Sequence, residues 1–229
     1  MEGMTDYSQL PALMTRMTGD EKHGPSATST LDVLWVLYHH VLRVDAAHPD
    51  DPNRDRFLLS KGHGPMAYYA VLAAHGFLTP EQLDGFGTFD SPLGHHPDGT
   101  LVPGVEIGSG SLGHGLGLAV GTALGLRLTG HSSSRVVVLV GDAELEEGSN
   151  AEAIQFAGRA RLDQLTAVVI DNVSAGLGWP GGIAARFAVE GWATADVDGR
   201  DHDALRRALR AEHQRPLAVI AHVEPRETS

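Results

Sequence analysis

Short apolar runs in the second half of the chain limit the folds that it can adopt. The runs RVVVLV, which ends at Gly141, and LTAVVI, which ends at Asp171, are rich in β-branched residues. PLAVIAHV, which begins at Pro216, is a third run, and GWATADV is a weaker one. Helical segments are predicted between the runs, at roughly 149–161 and 203–212. Apolar strands that alternate with helices predict an α/β fold, a parallel sheet with helices on both faces.

The first half of the chain has mainly helical patterns. Apolar residues recur at helical spacing from Thr30 to Arg43. The segment from Gly64 to Ala74 is rich in alanine and aromatic residues and indicates a buried helix. A polar loop is expected over 50–56, and a short amphipathic helix within the first ~20 residues. We therefore expect one domain over residues 1–229, with an N-terminal helical extension over about residues 1–60.

The composition excludes several classes of protein. The net charge of −12 over 229 residues disfavours nonspecific nucleic-acid binding, which needs a basic surface. No stretch approaches the ~20 apolar residues of a membrane span, and the start MEGMTDYSQL does not resemble a secretory signal. Without cysteine, the chain has neither disulfides nor thiolate metal sites. We expect a cytoplasmic protein that binds neither nucleic acid nor membrane.

Polar residues follow the two clearest strands. Asp142 comes after the first and Asn172 after the second, at the edge of a parallel sheet where ligands bind. Their carboxylate and amide oxygens suit Mg²⁺, which completes its octahedron with phosphate oxygens and water. A helix that begins near Ser149 would offer N–H groups to an anion, so a diphosphate could bind this acidic chain. By position alone, both residues could equally be turn residues and helix caps.

Five segments resemble those of transketolases. GDAELEEG, followed by DN, is similar to the thiamine diphosphate fingerprint, a GDG segment that closes on a paired NN. The other four keep the family order over roughly residues 20–205, and they are RDRFLLSKGHGPMAYYAVLAAHGFL, SPLGHHPDGT, PGVEIGSGSLGHGLGLAVGTALGLRL and VDGRDHDAL. The chain is thus similar to the amino-terminal subunit of a transketolase encoded as two chains, which has the thiamine-diphosphate-binding fold.

The resemblance implies how the cofactor would be held. Asp142 and Asn172 would ligate Mg²⁺, with the backbone carbonyl of Ser174 as a third ligand. Gly141 and the backbone N–H of Ala143 would meet the diphosphate.

Further roles are implied around the cofactor. Gly110 and Leu112 would hold the aminopyrimidine through backbone atoms and packing. His63 of SKGH would lie near the diphosphate and the substrate, and His96 of HHPD would contact the donor hydroxyls. His23 matches a family histidine more loosely. Each of these histidines could instead be one of the surface or core residues among the thirteen in the chain.

The acidic and glycine-rich segments also receive interpretations. Glu147 matches a glutamate near the subunit interface, on a path between two active sites, and Glu152 matches a second. Glu144 and Glu146 are interpreted as solvated charges. The glycine series from Gly113 to Gly125 is interpreted as letting a helix pack tightly rather than as a nucleotide site.

The resemblance implies a reaction and a partner. With thiamine diphosphate and Mg²⁺ as cofactors, a two-carbon ketol unit would pass from a ketose donor to an aldehyde acceptor. In the family, the glutamate that protonates the aminopyrimidine belongs to a pyrimidine-binding domain, which we do not expect within these 229 residues. We expect a C-terminal transketolase-type subunit to supply it in an α2β2 heterotetramer.

Some features depart from the family. GDA replaces GDG, which alanine tolerates unless a positive φ is required. VSAGLGWPGG replaces an apolar residue and an IDG turn, and the expected lysine- and glycine-rich loop and a further histidine do not follow the last strand. We therefore expect an open site and an acceptor other than an ordinary sugar phosphate. Two alternatives remain, the alpha subunit of a 2-oxo acid decarboxylating dehydrogenase and a non-catalytic scaffold subunit.

Overall fold

The protein is an α/β structure built on five strands. The computed structural model describes residues 6–17 and 24–224, with only the backbone described at 24–26. The strands are β1 (Arg56–Leu59), β2 (Val136–Gly141), β3 (Leu165–Asp171), β4 (Ala193–Asp198) and β5 (Leu217–His222). The α-helices are α1 (Leu10–Met14), α2 (Gly24–Val36), α3 (Met66–Ala74), α4 (Pro80–Leu83), α5 (His114–Leu128), α6 (Gly148–Arg159), α7 (Gly182–Ala188) and α8 (His202–Arg210).

All five strands run parallel in the order β1-β2-β3-β5-β4. Every residue of β2 and β3 is buried, which explains their continuous apolar runs. β4 alternates between half-buried and exposed residues at the edge of the sheet, so its sequence pattern is weaker. β1 is also at an edge, and its four residues RFLL are too few to show a period. The sequence pattern did not predict β1.

Two apolar layers cover the sheet, one on each face. Val137 and Leu139 point into a core shared with α2 and α3. The intervening residues Val136, Val138 and Val140 point into a second core shared with α5 and α6. The alternation follows from the twofold side-chain period of a strand. It confirms the predicted parallel sheet with helices on both faces.

The predicted helices are present, with shifted ends. The helix expected from Thr30 begins at Gly24, and its last turn, Leu37–Val41, widens into a π-helix. The helices predicted at 64–74, 149–161 and 203–212 are α3, α6 and α8. Across the described ranges, every helix is too short or too polar to cross a membrane.

The glycines of α5 differ in their surroundings. A Cβ added at Gly115 would lie 2.2 Å from the Cβ of Ser60, so this glycine does allow close packing. At Gly117, Gly121 and Gly125, an added Cβ would meet no described atom within 4 Å. At these three positions, no described residue lies close enough to account for the tight helix packing that was expected.

A buried carboxylate joins the start of β1 to the start of β2. The Asp55 side chain is fully buried and accepts hydrogen bonds from the guanidinium and backbone N–H groups of Arg43 and Arg135, at 2.8–3.1 Å. Burial alone would raise the pKa of Asp55, but these hydrogen bonds outweigh it and hold the pKa below its usual value.

We expect Asp55→Asn to lower the free energy of unfolding by about 3 kcal/mol at neutral pH, because two arginines lose a buried partner. The pKa of Asp55 is lower in the folded state, so its stabilisation is present above the unfolded value of about 3.9 and is lost as pH falls through the folded value. Urea denaturation at several pH values measures this. Exposed Asp90→Asn is the control, with a change within about 0.5 kcal/mol. An equal loss in both variants would contradict the role of Asp55.

Candidate cofactor-binding site

A cavity of about 230 Å³ opens where β2 and β3 end. Its lining residues are Lys61, Gly62, His63, Leu112, Gly141, Ala143, Glu144, Asn172 and Ser174. Six of these were predicted from the sequence: His63, Leu112, Gly141, Ala143, Asn172 and Ser174. A larger cavity, of about 620 Å³, lies at the other ends of the strands, where β2 and β3 begin. None of the predicted residues lines it. The smaller cavity is therefore the candidate site.

The Asp142 carboxylate organises the turns at the base of this cavity. Asp142 is fully buried and accepts hydrogen bonds from the backbone N–H groups of Ala143 (2.9 Å), Ser174 (2.7 Å) and Ala175 (3.1 Å). These bonds hold the turn after β2 against the turn after β3. The prediction that Asp142 and Asn172 leave neighbouring strands at one edge is thereby confirmed.

Three side-chain oxygens meet at this junction. The Ser174 hydroxyl lies 2.5 Å from Asp142 Oδ1 and 2.8 Å from Asn172 Oδ1. A single hydroxyl proton cannot serve both acceptors at once, so the set carries an excess of oxygen lone pairs. Carboxylate, amide and hydroxyl oxygens are hard ligands, and their grouping fits a hard cation such as Mg²⁺.

The donor set is too small to complete a metal site alone. Among the residues that the structure describes, no group of three or more His, Cys, Asp or Glu side chains is placed to hold a metal. The junction contains one carboxylate, so phosphate oxygens and water would have to complete the coordination shell. This is how Mg²⁺ is commonly held in phosphate-binding sites.

The backbone of the two turns explains how GDA can replace GDG, and it also contains one strained residue. Ala143 begins a 3₁₀ turn, Ala143–Glu146, and its φ is negative. Alanine can therefore replace the second glycine of the GDG motif without backbone strain. Val173, between the two candidate ligands Asn172 and Ser174, has a φ of 59°. A β-branched residue in this left-handed region is strained, and such strain concentrates at functional sites.

His63 and His96 come together at the mouth of the cavity. Their rings are 5.5 Å apart between centroids in an edge-to-face arrangement, and both residues are exposed. A Cβ at Gly62 would lie 3.0 Å from the His96 ring, and one at Gly110 would lie 3.2 Å from it. Gly110 also has a φ of 113°, which favours glycine. His95 instead packs against Phe86.

Of the remaining predicted residues, two lie at the start of α6 or within it, and one lies outside the described residues. Glu147 is exposed at the start of α6, where a Cβ added at Gly113 would lie 2.6 Å from its Cβ. Glu152 is exposed on the same helix. His23 lies outside the described residues.

Three charged residues in and around the site were missed or misinterpreted. Lys61 lines the cavity, and burial lowers its pKa, while nearby Asp142 and Glu144 partly oppose that effect. Its place between Ser60 and His63 in SKGH was the available signal. Glu144, interpreted as a solvated charge, is only 2% exposed. Glu146 is half-buried and accepts a hydrogen bond from the backbone N–H of Leu177 at 2.5 Å.

A family described as transketolase, thiamine diphosphate binding domain, matches residues 14–222. The chain belongs to the transketolase family. The match spans the sheet, both of its covering layers and all the described candidate site residues. The predicted resemblance to this family and to its thiamine-diphosphate-binding fold is confirmed.

Known relatives show how much of a transketolase this chain represents. One of the named subunits of the apulose-4-phosphate transketolase of Phocaeicola vulgatus is 34% identical over 203 residues, covering 85% of this chain and 72% of that protein. The crystal structure of the Campylobacter jejuni transketolase superposes with a TM-score of 0.76 at 26% identity, covering 95% of this chain and 38% of that one. The chain therefore spans most of a single transketolase subunit of this kind but little more than a third of a full-length transketolase.

Another relative has a different kind of name. Ferredoxin fas2 of Rhodococcoides fascians is 60% identical over 218 residues, which are 95% of this chain and 72% of that protein. Ferredoxin clusters are held by cysteine thiolates. The 229 residues of this chain contain no cysteine, so the ferredoxin name does not transfer to them.

We expect Gly115→Ala to lower the free energy of unfolding by about 2 kcal/mol, because its Cβ would overlap Ser60 beside the cavity. Gly117→Ala on the same helix is the matched control. It should raise the free energy of unfolding by up to about 1 kcal/mol, because open space surrounds this position and alanine favours helix. Chemical denaturation of both variants measures the difference, and effects of the same sign would contradict the described packing.

Proposed function

We propose that this chain is the cofactor-binding subunit of a two-chain transketolase, which transfers a two-carbon ketol unit from a ketose donor to an aldehyde acceptor. The observation that carries the proposal is the junction of Asp142, Asn172 and Ser174, which lies beneath the paired rings of His63 and His96 in one site. A scaffold subunit would not need to retain this arrangement.

The residues of the cavity divide into a metal-binding and a diphosphate-binding set. Asp142, Asn172 and Ser174 would hold Mg²⁺ through their oxygens. The ammonium of Lys61 would face the diphosphate, whereas the backbone N–H of Ala143, predicted for the same role, donates to Asp142 Oδ1. The ammonium supports the binding of an anion by a chain of net charge −12. Leu112, which also lines the cavity, would pack against the aminopyrimidine.

The two histidines would serve the substrate. Thiamine diphosphate, when bound, supplies an electron sink for the carbanion formed when a carbon–carbon bond beside a carbonyl breaks. His63 and His96 are exposed at the cavity mouth, where their ring nitrogens can hold donor hydroxyls and exchange protons with them. The proximity of the two rings supports a shared role in placing one donor.

Two features support a partner subunit. The cavity of about 230 Å³ is smaller than the roughly 300–1,000 Å³ of typical ligand sites, so a second surface would be needed to enclose a cofactor. The outer face of α5 and α6 also exposes Leu118, Leu128 and Phe156, next to glycines that meet no described neighbour. We propose that a subunit with the pyrimidine-binding domain packs on this face in an α2β2 heterotetramer. The name of the Phocaeicola relative, which designates one lettered subunit of its enzyme, supports a two-chain arrangement.

We expect thiamine diphosphate to bind only with Mg²⁺ and to bind more tightly with the partner subunit. Asp142→Ala should weaken this binding by about 100-fold or more, because it removes a metal ligand and the acceptor that joins the two turns. Isothermal titration calorimetry measures both effects, and exposed Asp90→Ala is the control. Binding by wild type that is unaffected by Asp142→Ala would contradict the proposed metal site, and no binding by wild type would contradict the function.

The same preparations then distinguish the donor class. With the partner subunit present, a ketose should lose a two-carbon unit to an aldehyde without release of carbon dioxide. Turnover of a 2-oxo acid with carbon dioxide release would instead support the dehydrogenase alternative.

We expect Leu118→Glu to weaken association with the partner subunit at least about 10-fold, because it places a charge in an apolar interface. The isolated variant should keep its free energy of unfolding within about 0.5 kcal/mol, since Leu118 is 49% exposed. Val189→Glu is the matched control, because Val189 is an exposed apolar residue just after α7. Sedimentation velocity measures association, and equal effects of the two variants would contradict the proposed face.

A further inference from the structure

Glu144 is a buried carboxylate that the proposed mechanism does not use. It lies in the 3₁₀ turn after β2 and is 2% exposed. Its carboxylate accepts hydrogen bonds from the Ser60 hydroxyl, the Gly113 backbone N–H at 3.0 Å and the Gly141 backbone N–H at 3.2 Å. A buried carboxylate is costly unless such donors surround it.

The three hydrogen-bond donors around Glu144 require that both of its carboxylate oxygens act as acceptors. Backbone N–H groups can only donate. The Ser60 hydroxyl accepts a hydrogen bond from the Gly115 N–H at 3.0 Å, which leaves its own proton for Glu144. A glutamine has one acceptor oxygen and would turn its NH₂ group towards at least one of these donors. The contacts therefore suit the ionised carboxylate.

Each donor belongs to a different segment of the candidate site. Ser60 begins the loop that carries Lys61 and His63. Gly141 precedes Asp142, and the bond to Glu144 thus holds the turn that faces the diphosphate.

The third donor and a backbone contact extend the network. Gly113 ends the segment that contains Gly110 and Leu112, the residues predicted to hold the aminopyrimidine. The backbone carbonyl of Glu144 also accepts a hydrogen bond from the side-chain amide of Asn150 at 2.6 Å, which attaches α6. One residue therefore joins three of the segments that line the cavity and attaches them to α6.

We propose that Glu144 is a positioning residue that sets the distance between the diphosphate-binding turn and the aminopyrimidine-binding segment. The inference rests on the proposed function, since it assigns the spacing to a cofactor with both parts. Glu144 acts through Gly113, Gly141 and Ser60, the three groups that donate hydrogen bonds to its carboxylate.

The test compares two ligands that require different parts of the site. Thiamine diphosphate spans both segments, whereas inorganic pyrophosphate needs only the diphosphate-binding turn. We expect Glu144→Gln to raise the Kd of thiamine diphosphate about 10- to 100-fold in the presence of Mg²⁺, because a charged hydrogen bond is replaced by an opposed donor. The Kd of pyrophosphate, measured by displacement, should rise less than about 3-fold. Exposed Glu212→Gln, at the other edge of the sheet, should change neither.

The outcomes separate the inference from the proposed function. If wild type binds thiamine diphosphate but Glu144→Gln weakens both ligands equally, or weakens neither, the positioning role is overturned. If wild type binds no thiamine diphosphate, the proposed function fails, and the inference fails with it. Circular dichroism checks that each variant folds. If Glu144→Gln does not fold, the Kd values of thiamine diphosphate and pyrophosphate are measured for Ser60→Ala instead and compared with wild type in the same way. This variant removes one of the three donors but leaves the carboxylate in place.

Discussion

The complete burial of β2 and β3 dictates where this protein can place its chemistry. Neither strand has an exposed side chain, and the charged residues Asp142 and Asp171 lie where the strands end. The parallel register puts Gly141 opposite Ile170, and the next residues of both strands reach the same edge. The Asp142 N–H donates to the Ile170 carbonyl at 3.0 Å, which carries this pairing into the turn. The site is thus a consequence of how the core is covered.

The edge of the sheet that carries the site combines carboxylates with the ammonium group of Lys61. The chain carries −12, yet the Asp142 carboxylate is surrounded by donors and a partly buried lysine lines the same cavity. Burial lowers the pKa of Lys61 and raises that of Glu144, although hydrogen bonds to the carboxylate and the nearby ammonium oppose the second effect. The ammonium of Lys61 and the N–H groups at this edge are the groups of an acidic protein that could receive a phosphorylated ligand.

The sequence predicted those parts of the structure that depend on neighbours along the chain. The apolar runs located β2, β3 and β5, and the family motifs identified the residues that meet at the cavity. β1 escaped prediction because four residues carry no usable period. Glu144 was misinterpreted because its local context is a run of acids, whereas its partners Ser60 and Gly113 lie 84 and 31 residues away. The conformation of Val173 likewise depends on the junction around it, which no local pattern encodes.

The outer face of α5 has a consequence for the life of the subunit before assembly. Gly117, Gly121 and Gly125 each cost about 1 kcal/mol relative to alanine in a helix, and no described neighbour offsets that cost within the chain. Together they remove about 3 kcal/mol from a folding free energy that is typically about 5–15 kcal/mol. Under the proposed two-chain arrangement, a partner that packs on this face would offset this cost, so the isolated chain would be less stable than the assembled one.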